Sequence, residues 1–227
     1  YIFIIIPLVI NSQTISLNES HIENYIRTMQ LAGKLKTKTS LTIRPISSTL
    51  IKDEDDFFKK NYSYSLFNFN DKIELKLLPI DYNIEYNEKH PYNRNNGSMI
   101  PNSGYQHILS AGFFIKLGPI SLQLKPEHLY AENNDYDGFW EGHYEEIWAE
   151  RYSTWNNIDM PERFGYNSHS KFLFGQSNIK LNFRSLSIGF SNENIWWGPS
   201  QRNGIMMSNN ARGFRHITFN TIKPIKT

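Results

Sequence analysis

Cysteine is absent from the 227 residues. That excludes a disulfide framework, a zinc–thiolate site, a thiol nucleophile and an acylated lipoprotein cysteine. Net charge is also small. The 24 basic residues exceed the 22 acidic ones by +2, so no basic footprint for nucleic acid is written into the chain. Long apolar runs are missing as well. A membrane helix needs about 20 consecutive apolar residues, and only residues 2–10, IFIIIPLVI, approach such a run. What the chain does have is aromatics, at 15%, with 13 Tyr, 15 Phe and 5 Trp, and a mean hydropathy of −0.52. A transmembrane β-barrel fits this composition, because only alternate residues of its strands face lipid. A soluble carbohydrate-handling β-sandwich fits it too.

The chain divides by pattern. Residues 1–12 end in an apolar stretch followed by Asn11-Ser12-Gln13, which reads as the remnant of a secretory signal peptide. Residues 13–65 read as a small helical segment. Ser20-His21-Ile22-Glu23 is a capping box, and Ile22, Tyr25, Ile26 and Met29 follow at helical spacing. Gly33 is a natural stop, so a helix is expected over 20–32. A weaker helix is expected over Leu50–Lys60, with Asp53, Glu54, Asp55 and Asp56 on a solvated face.

From about Asn70 the period is two. Ile73, Leu75 and Leu77 alternate with charged residues, and the register flips after Pro79 into Ile80, Tyr82, Ile84 and Tyr86. Leu109, Ala111, Phe113 and Ile115 read as one strand. Gly118-Pro119 turns the chain into Ile120, Leu122 and Leu124. Ile179–Phe183 and Leu186–Phe190 form a pair across Arg184-Ser185, and a last strand covers His216–Ile222. Short turns contrast with long polar loops over Asn87–Gly104 and Asn133–His169. That contrast favours an antiparallel outer-membrane barrel over a sandwich. Roughly six or seven strands cannot close such a barrel, whose strand number starts at about 8, so residues 66–227 are expected to be part of a larger one.

Catalytic and metal chemistry are weakly supported. His143 and Glu145, with His169 and His216 elsewhere, lack metal-ligand spacing, and no cofactor is implied. Glu145 and Glu146 are adjacent, so they cannot both face one substrate in a strand, although Glu146 and Glu150 could share a helix face. The best candidate for ligand contact is the loop Tyr136–Trp155. Its Trp140, Tyr144, Glu145, Trp148, Arg151 and Trp155 supply rings for sugar C–H faces and polar groups for hydroxyls. These rings equally suit a loop core or an aromatic belt. A second cluster is Asn194, Trp196, Trp197, Gly198, Pro199, Arg202, Asn203, Ser208, Asn209, Asn210 and His216, a turn-rich run suited to structural or lumen-facing roles.

That second cluster, N-x-W-W-G-P…R-N…S-N-N-A-x-G-F-x-H, resembles the Wzi-type capsule assembly family of outer-membrane β-barrels. Further pieces occur in family order. They include Tyr25, Arg27, Leu31 and Gly33; Leu41 to Pro45; Leu78-Pro79 with Asn83; Gly104 and Ser110-Ala111-Gly112; Leu117-Gly118-Pro119; and Gly175-Gln176-Ser177. The resemblance covers about residue 20 onward. Arg212 and Arg215 depart from it, standing where the family usually has prolines. The resemblance implies a large barrel with a small periplasmic helical bundle. It also implies a lectin-like, non-catalytic role in holding capsular or extracellular polysaccharide at the bacterial outer membrane. The implied partners are that polysaccharide, outer-membrane lipid and the export machinery, without nucleic acid. The alternatives are a secreted β-rich glycosidase and a passive porin-like barrel.

Overall fold

The computed structural model describes residues 13–17, 20–35, 39, 41–51, 62–70, 72–89, 91, 93–155 and 164–222. The apolar stretch 2–10, the acidic residues 53–56 and Pro161 lie outside these, as does the Ser20 side chain read as a helix cap. The chain begins with β1 (Thr14–Ile15), α1 (Ser20–Leu31), β2 (Ile43–Arg44) and β3 (Ile46–Ser47). Ser48–Leu50 is a single 3₁₀ turn, where the weaker helix was expected to begin.

The wall follows: β4 (Tyr64–Phe69), β5 (Ile73–Leu77), β6 (Asp81–Asn87), β7 (Gly104–Ser110), β8 (Phe113–Leu117), β9 (Ile120–Leu124) and β10 (Glu127–Ala131). After α2 (Glu145–Trp155) come β11 (His169–Leu173), β12 (Asn178–Phe183), β13 (Leu186–Ser191), β14 (Trp196–Trp197) and β15 (His216–Thr221).

Two antiparallel sheets carry the wall. The seven-stranded one has the order β15-β13-β12-β9-β8-β5-β4, and the four-stranded one β11-β10-β7-β6. The orders correspond, because β12, β9, β8 and β5 continue along the chain into or from β11, β10, β7 and β6. Each pair is one long strand interrupted partway. The interruptions fall at Leu78-Pro79-Ile80, Ala111-Gly112, Lys125-Pro126 and Phe174–Ser177. Pro79 and Pro126 lack the N–H a ladder needs, and Gly175 takes φ +55°. At Gly112, a Cβ would sit 1.9 Å from the Leu124 carbonyl oxygen, so only glycine allows that approach. The Gly112 carbonyl accepts from the Leu78 N–H at 3.0 Å.

This corrects the single strand expected over Leu109–Ile115, which is β7 and β8 in different sheets. The break keeps the in–out phase, since Ser110 and Phe114 are both buried. Alternation therefore runs straight through it in the sequence. β4, β10 and β11 were not recognised as strands from the sequence. Both sheets are open among the described residues. The result is a mainly β chain of the kind that makes part of a barrel wall.

The side-chain polarity of this wall is inverted. On β12, Asn178, Lys180 and Asn182 are buried, whereas Ile179, Leu181 and Phe183 are 49%, 50% and 51% exposed. β13 repeats this with buried Ser187 and Ser191 against exposed Leu186, Ile188 and Phe190. β5 does so with buried Glu74 and Lys76 against exposed Ile73 and Leu77. A water-soluble sheet turns its apolar face to the core, while a transmembrane barrel turns it to lipid. The outer surface is also graded along the strands. Aliphatics and Phe cover the seven-stranded sheet. Tyr82, Tyr86, Tyr105 and Tyr130 gather on the four-stranded one, where the Tyr82 and Tyr105 hydroxyls lie 3.0 Å apart. Amphipathic rings collect at membrane interfaces in this way.

Three short turns, at Asn70, Gly118 and Arg184, close hairpins at the far end of the seven-stranded sheet. All three residues have positive φ, at 51°, 57° and 53°. The connections over 88–103 and 132–168 leave the opposite end. α1 packs its stripe of Ile22, Tyr25, Ile26 and Met29 onto Ile15, Leu35, Leu41, Ile46, Ile51 and Tyr62. Gly33 stops it at φ +68°.

Two substitutions in the full-length protein test the inversion. Leu181→Arg places a charge on the lipid face and should lower stability in bilayers by about 2–4 kcal/mol. Asn182→Ser, on the buried face one residue away, should cost less than half of that. Denaturant unfolding in lipid vesicles measures both; equal effects would contradict the assignment of faces.

Candidate functional site

The inward face of the wall is a polar interior. Lys125 pairs with Asp81 at 2.6 Å, Lys76 with Glu74 at 2.6 Å, and Lys180 with Glu193 at 3.5 Å. β1 runs into this interior. The Thr14 N–H donates to Gln123 Oε1 at 3.0 Å, its hydroxyl bonds Glu193 Oε1, and Asn178 Nδ2 donates to that hydroxyl at 3.3 Å. A second knot joins Glu127, which accepts from Ser98 Oγ at 2.7 Å and Gln176 Nε2 at 2.8 Å. Buried polar groups are tolerable only when satisfied in this way.

The motif residues 194–216 stitch the long connections to this interior. Asn194 Oδ1 accepts from Gln176 Nε2 at 2.8 Å, and its Nδ2 donates to the Ala211 carbonyl at 2.6 Å. Trp196 and Trp197 form β14 and pair with Arg44 and Ile43 of β2. The Arg44 guanidinium lies 4.5 Å over the Trp196 ring. It also donates to Glu23 at 2.8 Å and to the Ser200 carbonyl at 2.8 Å. Glu23 additionally holds Arg27 at 2.7 Å. The Gly198 N–H donates to the Thr42 carbonyl at 2.8 Å, and Pro199 is exposed in the same turn.

Arg202 and Asn203 are exposed, with backbone N–H groups on Ser200 Oγ. The Arg202 carbonyl takes Asn95 Nδ2, and Asn203 Oδ1 takes Arg94. Asn210 Oδ1 accepts from the Asn95 N–H at 2.9 Å, and Asn209 contacts the same loop through its carbonyl to Gly97. The run at Ser208 to Asn210 thus anchors the 93–97 loop. His216 Nδ1 lies 2.8 Å from the Phe214 carbonyl.

Three hollows open on this inner side. One of about 620 Å³ lies between the 43–47 segment and β15, lined by Arg44, Lys180, Glu193, Trp197 and His216. Two others, of about 440 and 520 Å³, adjoin through Ser98, Lys171, Leu173 and Arg212. Sequence reasoning did not single out Lys171 or Glu193, and it gave Glu127 and Gln176 no role of their own. Their signal was only a polar residue at every second position, which looks solvated until the strand's inner face is known.

The aromatic candidates lie elsewhere, on α2 and the turn before it. Trp148 meets Phe139 edge-on at 4.9 Å and stacks with Tyr152 at 5.6 Å. The Arg151 guanidinium lies 4.2 Å over Phe139. Trp140 is 69% exposed and touches His143 at 5.2 Å, and Tyr144 and Glu145 face solvent. Trp155 is the last residue of α2; its side chain is outside the described set. Trp140, Trp148 and Arg151 therefore gather around Phe139 and His143, and the sequence did not point to that centre. The expected metal-free character concerns His143, Glu145, His169 and His216. Among the described residues, no group of three or more His, Asp or Glu is placed to hold a metal ion.

An inverted, mainly β wall with a polar, chain-filled interior defines the class as a membrane β-barrel portion. The family model described as Capsule assembly protein Wzi matches residues 88–227. That span is more than half of the chain, which therefore belongs to this family of capsule assembly proteins. It holds α2, the interior knot and the whole 194–216 motif. No curated protein matches the chain, and no solved structure does.

Removing one partner of a buried charge cluster leaves the others uncompensated. Glu23→Ala should therefore destabilise the protein by about 3 kcal/mol, read as a lowered unfolding midpoint. Trp196→Phe should retain most of the stability, because a ring still covers Arg44.

Proposed function

We propose that this chain is part of an outer-membrane β-barrel that binds capsular or extracellular polysaccharide and helps attach it at the cell surface, without catalysis. The observation that carries the membrane reading is the half-exposed aliphatic face of β12 and β13 set against a buried polar one. Family membership ties that barrel to capsule assembly. In this reading residues 13–65 are the periplasmic helical segment and 66–227 belong to the barrel, with 1–12 a signal-peptide remnant.

Two features support binding over the alternatives. A passive porin needs an open lumen, yet β1 threads the interior and is bonded to Gln123, Asn178 and Glu193. The carboxylates that the sequence offers for glycosidase chemistry, Glu145, Glu146 and Glu150, are all exposed on α2, whereas a general acid needs a raised pKa. Exposed rings such as Trp140, beside Arg151 and Tyr152, suit sugar stacking.

Deleting the gene should release surface polysaccharide into the medium, seen as loss of capsule staining; a fully retained capsule would contradict the proposal. In planar bilayers the full-length protein should show no steady open-channel conductance. A stable conductance would favour the porin reading.

A further inference from the structure

The two adjoining hollows beside β11 have a charge character that their neighbours do not balance. Lys171 projects from β11, the edge strand of the four-stranded sheet. Arg212 and Arg215 project from the returning chain opposite. All three are exposed. Lys171 and Arg212 have no ion-pair partner among the described residues. Arg215 rests 5.4 Å over the Phe174 ring, which positions its guanidinium and leaves the N–H edge available.

Among the described residues, Glu127 is the one carboxylate lining either hollow. It is 1% exposed and accepts from Ser98 and Gln176, so one buried carboxylate stands against three exposed cations. Phe174 and Phe214, 60% and 48% exposed, line the same space. Cations on two facing elements, with ring faces between them, differ from scattered solvated charges. Guanidinium groups pair with carboxylates through parallel N–H donors, and the rings accept sugar C–H faces.

We infer that this groove is an anion-selecting subsite, which takes the carboxylate-bearing residues of an acidic polysaccharide. The inference rests on the polysaccharide-binding reading above and names the glycan class. Arg212 and Arg215 grip the carboxylates, Lys171 adds attraction from across the groove, and Phe174 and Phe214 seat the sugar rings.

Affinity electrophoresis of the full-length protein in detergent tests it, with polygalacturonate, its carboxyl-reduced neutral form or dextran in the gel. Polygalacturonate should retard the protein and the two neutral glycans should not, and added salt should weaken the retardation. The double variant Arg212→Gln/Arg215→Gln should bind polygalacturonate at least about tenfold more weakly, with unchanged far-ultraviolet circular dichroism. Lys171→Gln provides an independent, smaller loss should the double variant misfold. Equal retardation by acidic and neutral glycans, or unchanged binding in folded variants, overturns this inference alone. Retardation by none of the glycans overturns it together with the binding reading beneath it.

Discussion

A sheet that turns lysine, glutamate, asparagine and glutamine inward must supply partners for them. Among the described residues the wall pairs charges on its covered face, with Lys125 on Asp81, Lys76 on Glu74 and Lys180 on Glu193. An unpaired buried charge costs several kcal/mol. Single partners therefore cannot be removed from the interior without loss, and segments from far along the chain are recruited to satisfy it. β1, the 93–103 connection and the 194–216 motif all end in hydrogen bonds to that face. The aliphatic outer face is the other half of the same constraint, for it is affordable only against lipid.

The motif that dominates the sequence acts mainly through this constraint. Trp196 covers Arg44, Asn194 joins Gln176 to the Ala211 carbonyl, and Asn210 holds the 93–97 loop. These contacts fix where the long connections run. They leave open hollows beside β11 and β15, and they leave the aromatic group around Phe139 on a separate helix. The chain thus carries two surfaces with different chemistry, one ring-rich and one cationic.

Much of the fold was legible because alternation survives into the structure. Ile179 to Phe190 pairs as the sequence suggested, with Phe183 opposite Leu186. The register flip at Pro79 marks a real passage between sheets. Alternation failed where it was uninformative: it crosses Gly112 without a change of phase, so two strands looked like one. β4 is exposed on both faces at a sheet edge, and the outer sides of β10 and β11 carry His128 and Tyr130 opposite Phe172 and Ser170, so neither shows a clean apolar stripe. The site was less legible. The placing of Lys171 opposite Arg212 across a hollow, or the bond of Thr14 to Glu193, depends on how chain segments about 40 and 180 residues apart are brought together, and no local pattern encodes that.

The most direct measurement exploits the missing cysteines. Single cysteines at 179, 180, 181, 182 and 183 of the full-length protein can carry nitroxide labels in lipid vesicles, with accessibility to oxygen and to a water-soluble nickel chelate read by electron paramagnetic resonance. The account predicts a two-residue alternation, with 179, 181 and 183 in contact with lipid-dissolved oxygen and 180 and 182 shielded from it. Oxygen accessibility without alternation, or high nickel accessibility at 179, 181 and 183, would contradict it.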